Sequence, residues 1–357
     1  MDERVDVSVV ISTYNRCALL PAALAGALSQ RAADITYEVL VVDNNSTDAT
    51  PRTVESFMSR APRLRYLFEP RQGVSHGRNT GISQAKGAII AFTDDDVVVS
   101  PDWVAQIKRA LDEHPEVDFV GGKVLPRWPA KPPAWLTREH WSPLAITDFG
   151  DSPFYVNSGR PLCLVCASLA FRREVFEEVG LFSPDFLRCQ DHELQVRLWQ
   201  AKRQGMYVPD IAATANVQAE RMTKAYHRRW YVTHGKFCAQ MRLRSITDLS
   251  DGERIVSELP NLVTLFGTPI SLCREVIREC LHWSSAALRL NEARTFFHEN
   301  RVRDLLAYIV ANYRQHAASR KHSHLGEVRA FTKALWRRKS RVARDRNLRS
   351  RKKTTWA

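Results

Sequence analysis

Short apolar segments alternate with helical segments through the first third of the chain, and this alternation restricts the fold more than any other feature. The apolar segments are rich in β-branched residues, which favour buried strands. Strands that alternate with helices at this spacing form a mostly parallel sheet with helices on both faces. We therefore predict an α/β fold whose first strands are Val5 to Ile11, Tyr37 to Val42, Arg63 to Phe68 and Ala88 to Phe92.

Polar segments follow three of these predicted strands. STYNR follows Ile11, DNNSTD follows Val42 and TDDD follows Phe92. Ligands of such sheets bind beyond the carboxyl ends of the strands. We therefore expect the three polar segments to line one crevice.

The acidic triplet Asp94, Asp95 and Asp96 lies where a buried strand reaches the surface. Adjacent carboxylates repel one another, and Mg²⁺ or Mn²⁺ with a phosphate ligand would relieve that repulsion. A solvated acidic turn is the alternative interpretation. Ser100 and Pro101 are the predicted N-cap and first residue of the next helix.

The composition permits a full hydrophobic core. With 357 residues, 44% of them hydrophobic, we expect one large domain and a smaller one, or two modest ones. We find no run of about 18 uncharged apolar residues and no signal-peptide apolar region, so neither a membrane-spanning helix nor a signal peptide is expected.

The seven cysteines are predicted to be thiols. Cys163 and Cys166 form a lone C-x-x-C, which we assign to a strand from Leu162 to Phe171 rather than to a zinc site.

Nearly all of the net positive charge lies near the C-terminal end. Residues 320–357 contain 14 lysines and arginines against Glu327 and Asp345, whereas the whole chain carries +13. The remainder is close to neutral, so no nucleic-acid partner is expected. Residues 326–346 place apolar side chains at helical spacing among arginines. This pattern predicts either an amphipathic helix on an anionic membrane surface or a solvated, disordered tail.

The segment from Arg127 to Gly159 is rich in proline and tryptophan. A loop of this length is often a binding segment or a lid, so Trp128, Trp135 and Trp141 are candidates for binding an acceptor. Ordinary packing is the alternative. Farther along, Asp191 is the first residue of a predicted amphipathic helix. Its side chain is a candidate functional group, and the alternative is that it only caps this helix.

Four motifs, taken together, resemble family 2 glycosyltransferases, which have the GT-A fold. They are STYNR, VVDNNSTDAT, GVSHGRNTGISQAKGAIIAFTDDD and CQDHEL, and the resemblance covers about Val5 to Gly205. It implies an inverting, metal-dependent transferase with a nucleotide-diphospho-sugar donor and a saccharide or lipid-linked acceptor. The expected cofactor is Mn²⁺ or Mg²⁺.

The resemblance also implies a role for each matched residue. Asp191 matches the catalytic base and Asp96 matches the metal ligand. Asp43 matches the acid that binds the base of the donor. The full set of donor-binding residues implied is Thr13, Tyr14, Asn15, Asp43, Arg78, Asp94 and Asp95.

Two positions depart from the family pattern. Gln190 stands where the family usually has glutamate, so any charge-based role of that glutamate is absent. Ala215 and Asn216 occupy the place where many relatives carry a histidine. His227 is a candidate substitute, but we interpret it as a histidine on a helix surface. Arg221, Arg228 and Arg229 would either contact phosphates or flank the next helix.

The pattern becomes helical after Gln218. The predicted helices are Glu220 to Arg244, Asp251 to Phe266, Ser271 to Glu299 and Arg301 to Arg314. We therefore predict a GT-A catalytic domain at residues 1–220, a helical C-terminal region at 221–319 and a basic tail at 320–357. The expected location is the cytoplasm, with the tail as the element that would attach the protein peripherally to the inner face of the plasma membrane.

Two other functions remain as alternatives. A nucleotidyltransferase on a similar sheet would need a basic triphosphate-binding loop, and STYNR offers only Arg16. A non-catalytic nucleotide-sugar-binding module is supported only by Gln190 and Ala215. A dinucleotide-dependent oxidoreductase is not expected, because no G-x-G-x-x-G follows Ile11. The sequence does not identify the donor sugar, its base, the acceptor or the linkage.

Overall fold

The computed structural model describes residues 5–241, 264–265 and 268–318, together with residues 326, 328 and 331. The described residues form two compact units, one up to Trp230 and one from Tyr231 onward. None of the described helices combines the length and the apolar character that crossing a lipid bilayer requires. The helix predicted within residues 326–346 lies outside the described residues, apart from those three positions.

The first unit is built from strands and helices that alternate along the chain. Its strands are β1 Val7–Thr13, β2 Tyr37–Asp43, β3 Leu64–Phe68, β4 Ile89–Asp94, β5 Val97–Val99, β6 Phe119–Gly121, β7 Val124–Arg127, β8 Phe154–Val156, β9 Leu169–Arg172, β10 Gly205–Tyr207 and β11 Ala213–Asn216. Its helices are α1 Leu20–Leu28, α2 Thr50–Met58, α3 Val74–Gln84, α4 Trp103–Glu113, α5 Glu174–Val179 and α6 Gln190–Gln200. The first four predicted strands are present, with ends within two residues of the prediction.

The main sheet has eight strands in the order β3-β2-β1-β4-β9-β6-β10-β8. Strands β3, β2, β1 and β4 are parallel, whereas β9 and β8 run antiparallel to their neighbours. The predicted mostly parallel sheet is therefore confirmed. A smaller sheet contains β5, β11 and β7. Its strand β5 begins at Val97, immediately after the acidic triplet.

Apolar side chains cover both faces of the main sheet. One core joins the sheet to α1, α2 and α4, and the other joins it to α3, α5 and α6. Helix α3 approaches β1 closely because it carries Gly77 and Gly81 on the sheet side. A Cβ atom at Gly81 would lie 2.4 Å from Val10 Cγ1, and one at Gly77 would lie 2.2 Å from Ser12 Oγ. The start of α3 is therefore held against the carboxyl end of β1.

The predicted strand from Leu162 to Phe171 is mostly wrong. Only Leu169–Arg172 forms strand β9, and Cys166–Ser168 forms a single 3₁₀ turn. Cys163 and Cys166 are buried free thiols outside any strand. The backbone here is held by a side chain of α6 instead of a neighbouring strand.

The predicted start of the helix after β5 differs from the structure. Helix α4 begins at Trp103 instead of Pro101, and its N-cap residue is Asp102 instead of Ser100. The segment from Val117 to Leu125 is divided between the two sheets, with β6 in the main sheet and β7 in the small one. It is interrupted at Gly122, where a Cβ atom would lie 2.0 Å from Ile211 O.

The second unit is largely helical. Helix α7 begins in the first unit, and the elements are α7 Lys224–Gln240, β12 Thr264–Leu265, β13 Thr268–Pro269, α8 Ile270–Leu288 and α9 Glu292–Ala318. Residues 264 and 265 pair with β13, so the helix predicted there is wrong at those positions. The rest of that predicted helix is outside the described residues.

The break between the last two helices lies earlier than predicted. It falls at Leu290 and Asn291, whereas the sequence pattern had placed it near Asn300. The Asn291 side chain accepts a hydrogen bond from the amide of Arg294 at 3.0 Å. This N-cap contact starts α9, and the continuous apolar pattern across the turn concealed it.

Candidate active site

The carboxyl ends of three parallel strands bring the predicted donor-binding residues together. In the register of the sheet, Thr13 of β1 lies beside Asp43 of β2, and Ser12 lies beside Asp94 of β4. Tyr14 follows Thr13 and is 46% exposed. The three polar segments thus meet at one sheet edge, as the strand order requires.

The loop after β2 is fixed by hydrogen bonds from its neighbours. Both oxygens of the fully buried Asp43 carboxylate accept hydrogen bonds, Oδ2 from the Tyr66 hydroxyl at 2.8 Å and Oδ1 from the Ser46 amide at 2.9 Å. The Asn15 side chain accepts from the Thr47 amide at 2.7 Å. Asn15 has a positive φ of 52°, a conformation that asparagine tolerates better than most residues. These contacts join the STYNR and DNNSTD segments.

The acidic triplet is surrounded by cationic side chains. Arg78 of α3 is buried and donates to Asp94 Oδ1 at 3.1 Å. Arg221 forms an ion pair with Asp96 at 3.3 Å, and Gln218 donates to the same carboxylate at 3.1 Å. Burial and the adjacent Asp96 raise the pKa of Asp95 to about 7. The triplet is thus a partly buried cluster and not the solvated acidic turn.

Asp191 lies in the same electrostatic cluster as Asp94. Its Oδ1 accepts from the His192 amide at 2.9 Å, and its Oδ2 accepts from the Cys166 amide at 3.3 Å. Burial raises the pKa of the Asp191 carboxyl, the Arg78 guanidinium offsets part of this increase, and the Asp94 charge adds to it. Arg78 therefore interacts with both carboxylates.

Helix α3 also holds the segment that leads into α6. The Asn79 side chain forms hydrogen bonds with both the amide and the carbonyl of Phe182, at 3.0 and 2.8 Å, and Ser75 donates to Ser183 O at 3.0 Å. The residue just before α6, Cys189, has a positive φ of 60°. Such strained backbone often occurs at functional sites. The same helix thus carries Arg78 and positions the entry to the Asp191 helix.

Gln195, one turn after Asp191, is fully buried and holds the segment containing Cys166. Its Oε1 accepts from the Leu164 amide at 2.9 Å, and its Nε2 donates to Leu164 O at 2.7 Å and to Asp191 O at 3.0 Å. This amide fixes the chain from which the Cys166 amide reaches Asp191. No sequence signal distinguished Gln195 from an ordinary polar residue of an amphipathic helix.

The residues at the triplet fit a divalent cation held jointly with a diphosphate. Within the described part of the chain, no three His, Cys, Asp or Glu side chains converge as a complete metal site. Mg²⁺ and Mn²⁺ nevertheless need only one or two carboxylates when substrate phosphates supply further oxygens. Burial and the neighbouring carboxylates raise the pKa of Asp95, and such a cation would relieve the repulsion between the carboxylates. Asp96, with Asp94 or Asp95, would supply the carboxylate oxygens for such a cation.

The histidine prediction was wrong, because His227 is completely buried and not on a helix surface. Its ring lies 5.0 Å from the Trp135 ring and 6.4 Å from the His140 ring, and its Nε2 lies 3.1 Å from Arg221 O. Trp135 is only 7% exposed, and its ring packs against the rings of both His227 and His140. Trp141 packs against Arg138 instead, with the guanidinium 5.3 Å from the ring centre.

Arg221 and Gln218 both contact Asp96, although neither has a definite role predicted from the sequence. For Arg221 we considered either a phosphate contact or a place beside the next helix, and the structure adds its ion pair with Asp96. The Asn216 amide also donates to the carbonyl of Asp96 at 2.8 Å. These contacts come from pairing β11 with β5, which only the folded chain reveals.

Residues 8–180 match the model of glycosyl transferase family 2. They form a domain of that family. The family predicted from the motifs is therefore confirmed, and its model ends just before Asp191.

Two curated relatives of the chain carry glycosyltransferase names. The glucosyl-dolichyl phosphate glucuronosyltransferase of Haloferax volcanii is 27% identical over 197 residues, which are 53% of this chain and 59% of that protein. Glycosyltransferase AglE of the same organism is 33% identical over 177 residues, which are 49% of this chain and 55% of AglE. The chain thus spans little more than half the length of these curated relatives.

A solved structure supports the fold over most of the chain. The mannosyltransferase PcManGT from Pyrobaculum calidifontis, in complex with GDP-Man and Mn²⁺, superimposes with a TM-score of 0.57 at 22% identity. The match covers 87% of this chain and 88% of that one. The predicted GT-A class, with its C-terminal helical region, is therefore confirmed as a fold.

Replacing Gln195 with leucine should destabilise the protein. Gln195→Leu leaves the amide and the carbonyl of Leu164 without their buried partner, which we expect to reduce the free energy of unfolding by about 2–4 kcal/mol. Urea denaturation measures this change. Gln200→Leu, on the exposed end of the same helix, is the control and should change the value by less than about 0.5 kcal/mol. Equal effects of the two substitutions would contradict the assigned role.

The buried His227 should make stability depend on pH. Burial and the nearby His140 lower the pKa of His227 from 6.5 to about 4. Below pH 6.5 the unfolded chain therefore takes up a proton that the folded chain does not accept until about pH 4. The free energy of unfolding should fall over this interval by about 3 kcal/mol in total. His227→Gln should remove this part of the decrease in urea denaturation at pH 8, 6, 5 and 4, and an unchanged pH profile would refute it.

Proposed function

We propose that this chain is an inverting glycosyltransferase that moves a sugar from a nucleoside-diphosphate donor to a hydroxyl group of a saccharide or lipid-linked acceptor. Asp191 is the general base, and Asp96 is the main protein ligand of Mn²⁺ or Mg²⁺. Thr13, Tyr14 and Asn15 line the nucleotide pocket. The other donor-binding residues in this proposal are Asp43, Arg78, Asp94 and Asp95.

One observation supports this proposal above the others. The Arg78 guanidinium donates to Asp94 and also acts on the pKa of Asp191, so a donor-side carboxylate and the candidate base share one buried cation. A transferase needs these two kinds of group close together, because the sugar to be transferred lies between the diphosphate and the acceptor. The family 2 domain and the GT-A fold favour this reaction over nucleotidyl transfer.

The reaction follows from the chemistry of the carboxylate. The acceptor oxygen forms a bond to the anomeric carbon while the bond from that carbon to the diphosphate oxygen breaks. The bonding electron pair leaves with the diphosphate, and the acceptor proton passes to Asp191. Since attack comes from the face opposite the leaving group, the configuration inverts. The raised pKa of Asp191 makes its carboxylate a stronger base than an exposed aspartate.

The leaving group carries increasing negative charge, and the site contains groups that interact with such charge. A divalent cation, when bound at Asp96, would neutralise charge on the diphosphate. Arg78 remains close to Asp94 and Asp191 and limits the repulsion between these two carboxylates. Asn15 and Asp43 maintain the two loops that border the nucleotide pocket.

The class of acceptor is supported by the name of one relative. That protein is a glucosyl-dolichyl phosphate glucuronosyltransferase, so we propose a lipid-linked saccharide as the first acceptor to test. An acceptor in a membrane agrees with the basic tail at residues 320–357, for which we propose binding to an anionic membrane surface from the cytoplasmic side.

Asp191→Asn should abolish transfer without abolishing donor binding. Because asparagine cannot accept the acceptor proton, we expect the turnover rate to fall by about 10²–10⁴. A screen of nucleotide sugars for diphosphate release identifies the donor, and calorimetry then measures its binding to each variant. Asp185→Asn, in the exposed loop before α6, is the control and should keep full turnover. Full turnover by Asp191→Asn would refute the assignment, and donor binding without transfer by the parent protein would favour a binding module.

Asp96→Ala should remove the metal dependence of diphosphate binding. Calorimetry with UDP and GDP, with and without Mn²⁺, should show tighter metal-dependent binding by the parent protein and about tenfold weaker binding by the variant. Asp112→Ala, on the exposed side of α4, should behave like the parent. Diphosphate binding that is insensitive to both EDTA and Asp96→Ala would contradict the metal assignment.

A further inference from the structure

One exposed face of helix α8 carries both apolar side chains and arginines. Positions 274, 277, 278, 281, 285 and 288 lie on one face of a helix, because they recur at spacings of three or four residues. Ile277, Leu281 and Leu288 on this face are 61%, 67% and 85% exposed. Arg274 and Arg278 are exposed beside them. Exposed apolar side chains that recur along one face of a helix indicate contact with another apolar surface.

Helix α9 repeats the same arrangement on its own exposed face. Leu306, Val310 and Tyr313 are 46%, 48% and 40% exposed and lie at spacings of four and three residues. Arg303 and Arg314 are exposed at neighbouring positions of the same face. Two consecutive helices thus combine apolar side chains with arginines, and we call the pair the α8–α9 hairpin.

The turn of the hairpin carries a leucine where glycine would fit better. Leu290 has a positive φ of 53° and is 91% exposed. Its amide donates to Ala287 O at 3.0 Å and the Asn291 amide donates to Ala286 O at 3.1 Å, the pattern of a helix end that usually contains glycine. Because the Leu290 side chain is exposed, packing within the fold contributes little free energy to offset the cost of its positive φ. Contact with an apolar environment outside the chain explains why a large apolar side chain stands there.

The exposed charged side chains of the hairpin are almost all positive, although Arg278 forms ion pairs with Glu275 and Glu279, and Arg303 forms one with Glu299. Among the described residues 270–318, Glu292 is the exposed acidic residue, and there are six exposed arginines. They are Arg274, Arg278, Arg289, Arg294, Arg303 and Arg314. Arginine binds phosphate well, and the aliphatic part of its side chain packs along an apolar surface.

We propose that the α8–α9 hairpin is a lipid-binding surface that inserts Leu281, Leu288 and Leu290 into the headgroup region of an anionic membrane. The flanking arginines bind lipid phosphates, as in helices that lie in the plane of a membrane. A second copy of the chain fits this surface less well, because association through it would bring two arginine-rich faces together. The proposal does not depend on the transfer reaction or on the basic tail.

The test measures partition of the full-length protein onto lipid vesicles. Vesicles of 70% phosphatidylcholine and 30% phosphatidylglycerol are compared with pure phosphatidylcholine, at low and high salt. We expect Leu281→Asp, Leu288→Asp and Leu290→Asp, combined in one chain, to reduce partition onto the anionic vesicles at least about tenfold. The matched control combines Met58→Asp, Leu125→Asp and Leu187→Asp, which add the same charge at exposed positions of the first unit.

A second variant separates lipid binding from folding. Leu290→Gly relieves the positive φ, so its melting temperature should not fall, yet its partition onto anionic vesicles should still decrease. Equal partition of the triple variant and its control would overturn the proposal, since the intact tail would then account for all binding. A triple variant that binds vesicles normally but loses self-association in analytical ultracentrifugation would instead assign the surface to a second copy.

Discussion

The arrangement of the site depends on one buried guanidinium. Arg78 is only 7% exposed, donates to Asp94 at the end of β4 and interacts electrostatically with Asp191 at the start of α6. Two carboxylates brought close together out of water would repel each other strongly without a cation. Arg78 occupies its position because Gly77 and Gly81 let α3 approach β1. The two glycines on α3 therefore help to set the electrostatics of the site.

Asp191 is held in place mainly by backbone groups and by side chains that do not ionise. Asn79 and Ser75 fix the chain before α6, and Gln195 fixes the segment from which the Cys166 amide reaches the carboxylate. Neutral donors of this kind orient a carboxylate without a second buried charge. Burial raises the pKa of Asp191, while the Arg78 guanidinium and the amides of His192 and Cys166 offset part of that increase.

The sequence predicted what depends on local pattern and failed where distant segments meet. The strands around Thr13, Asp43 and Asp94 followed from β-branched runs that end in polar residues, and their shared edge followed from the rule for parallel sheets. The segment around Cys163 and Cys166 looked like a strand because it is apolar, yet its hydrogen-bond partner is Gln195, about 30 positions away. Similarly, His227 carried no sign of burial, because its surroundings come from Trp135 and His140.

By itself, the sequence determined the α/β class, the family motifs and the identity of the acidic residues, because periodicity and motif spacing are properties of neighbouring residues. The tertiary structure alone decided that Arg78 interacts with both Asp94 and Asp191 and that Arg221 forms an ion pair with Asp96. It also decided that Leu290 stands exposed at a strained turn. These features depend on burial and on contacts between residues far apart in the chain, and both come into existence only when the sheet and its helices pack together.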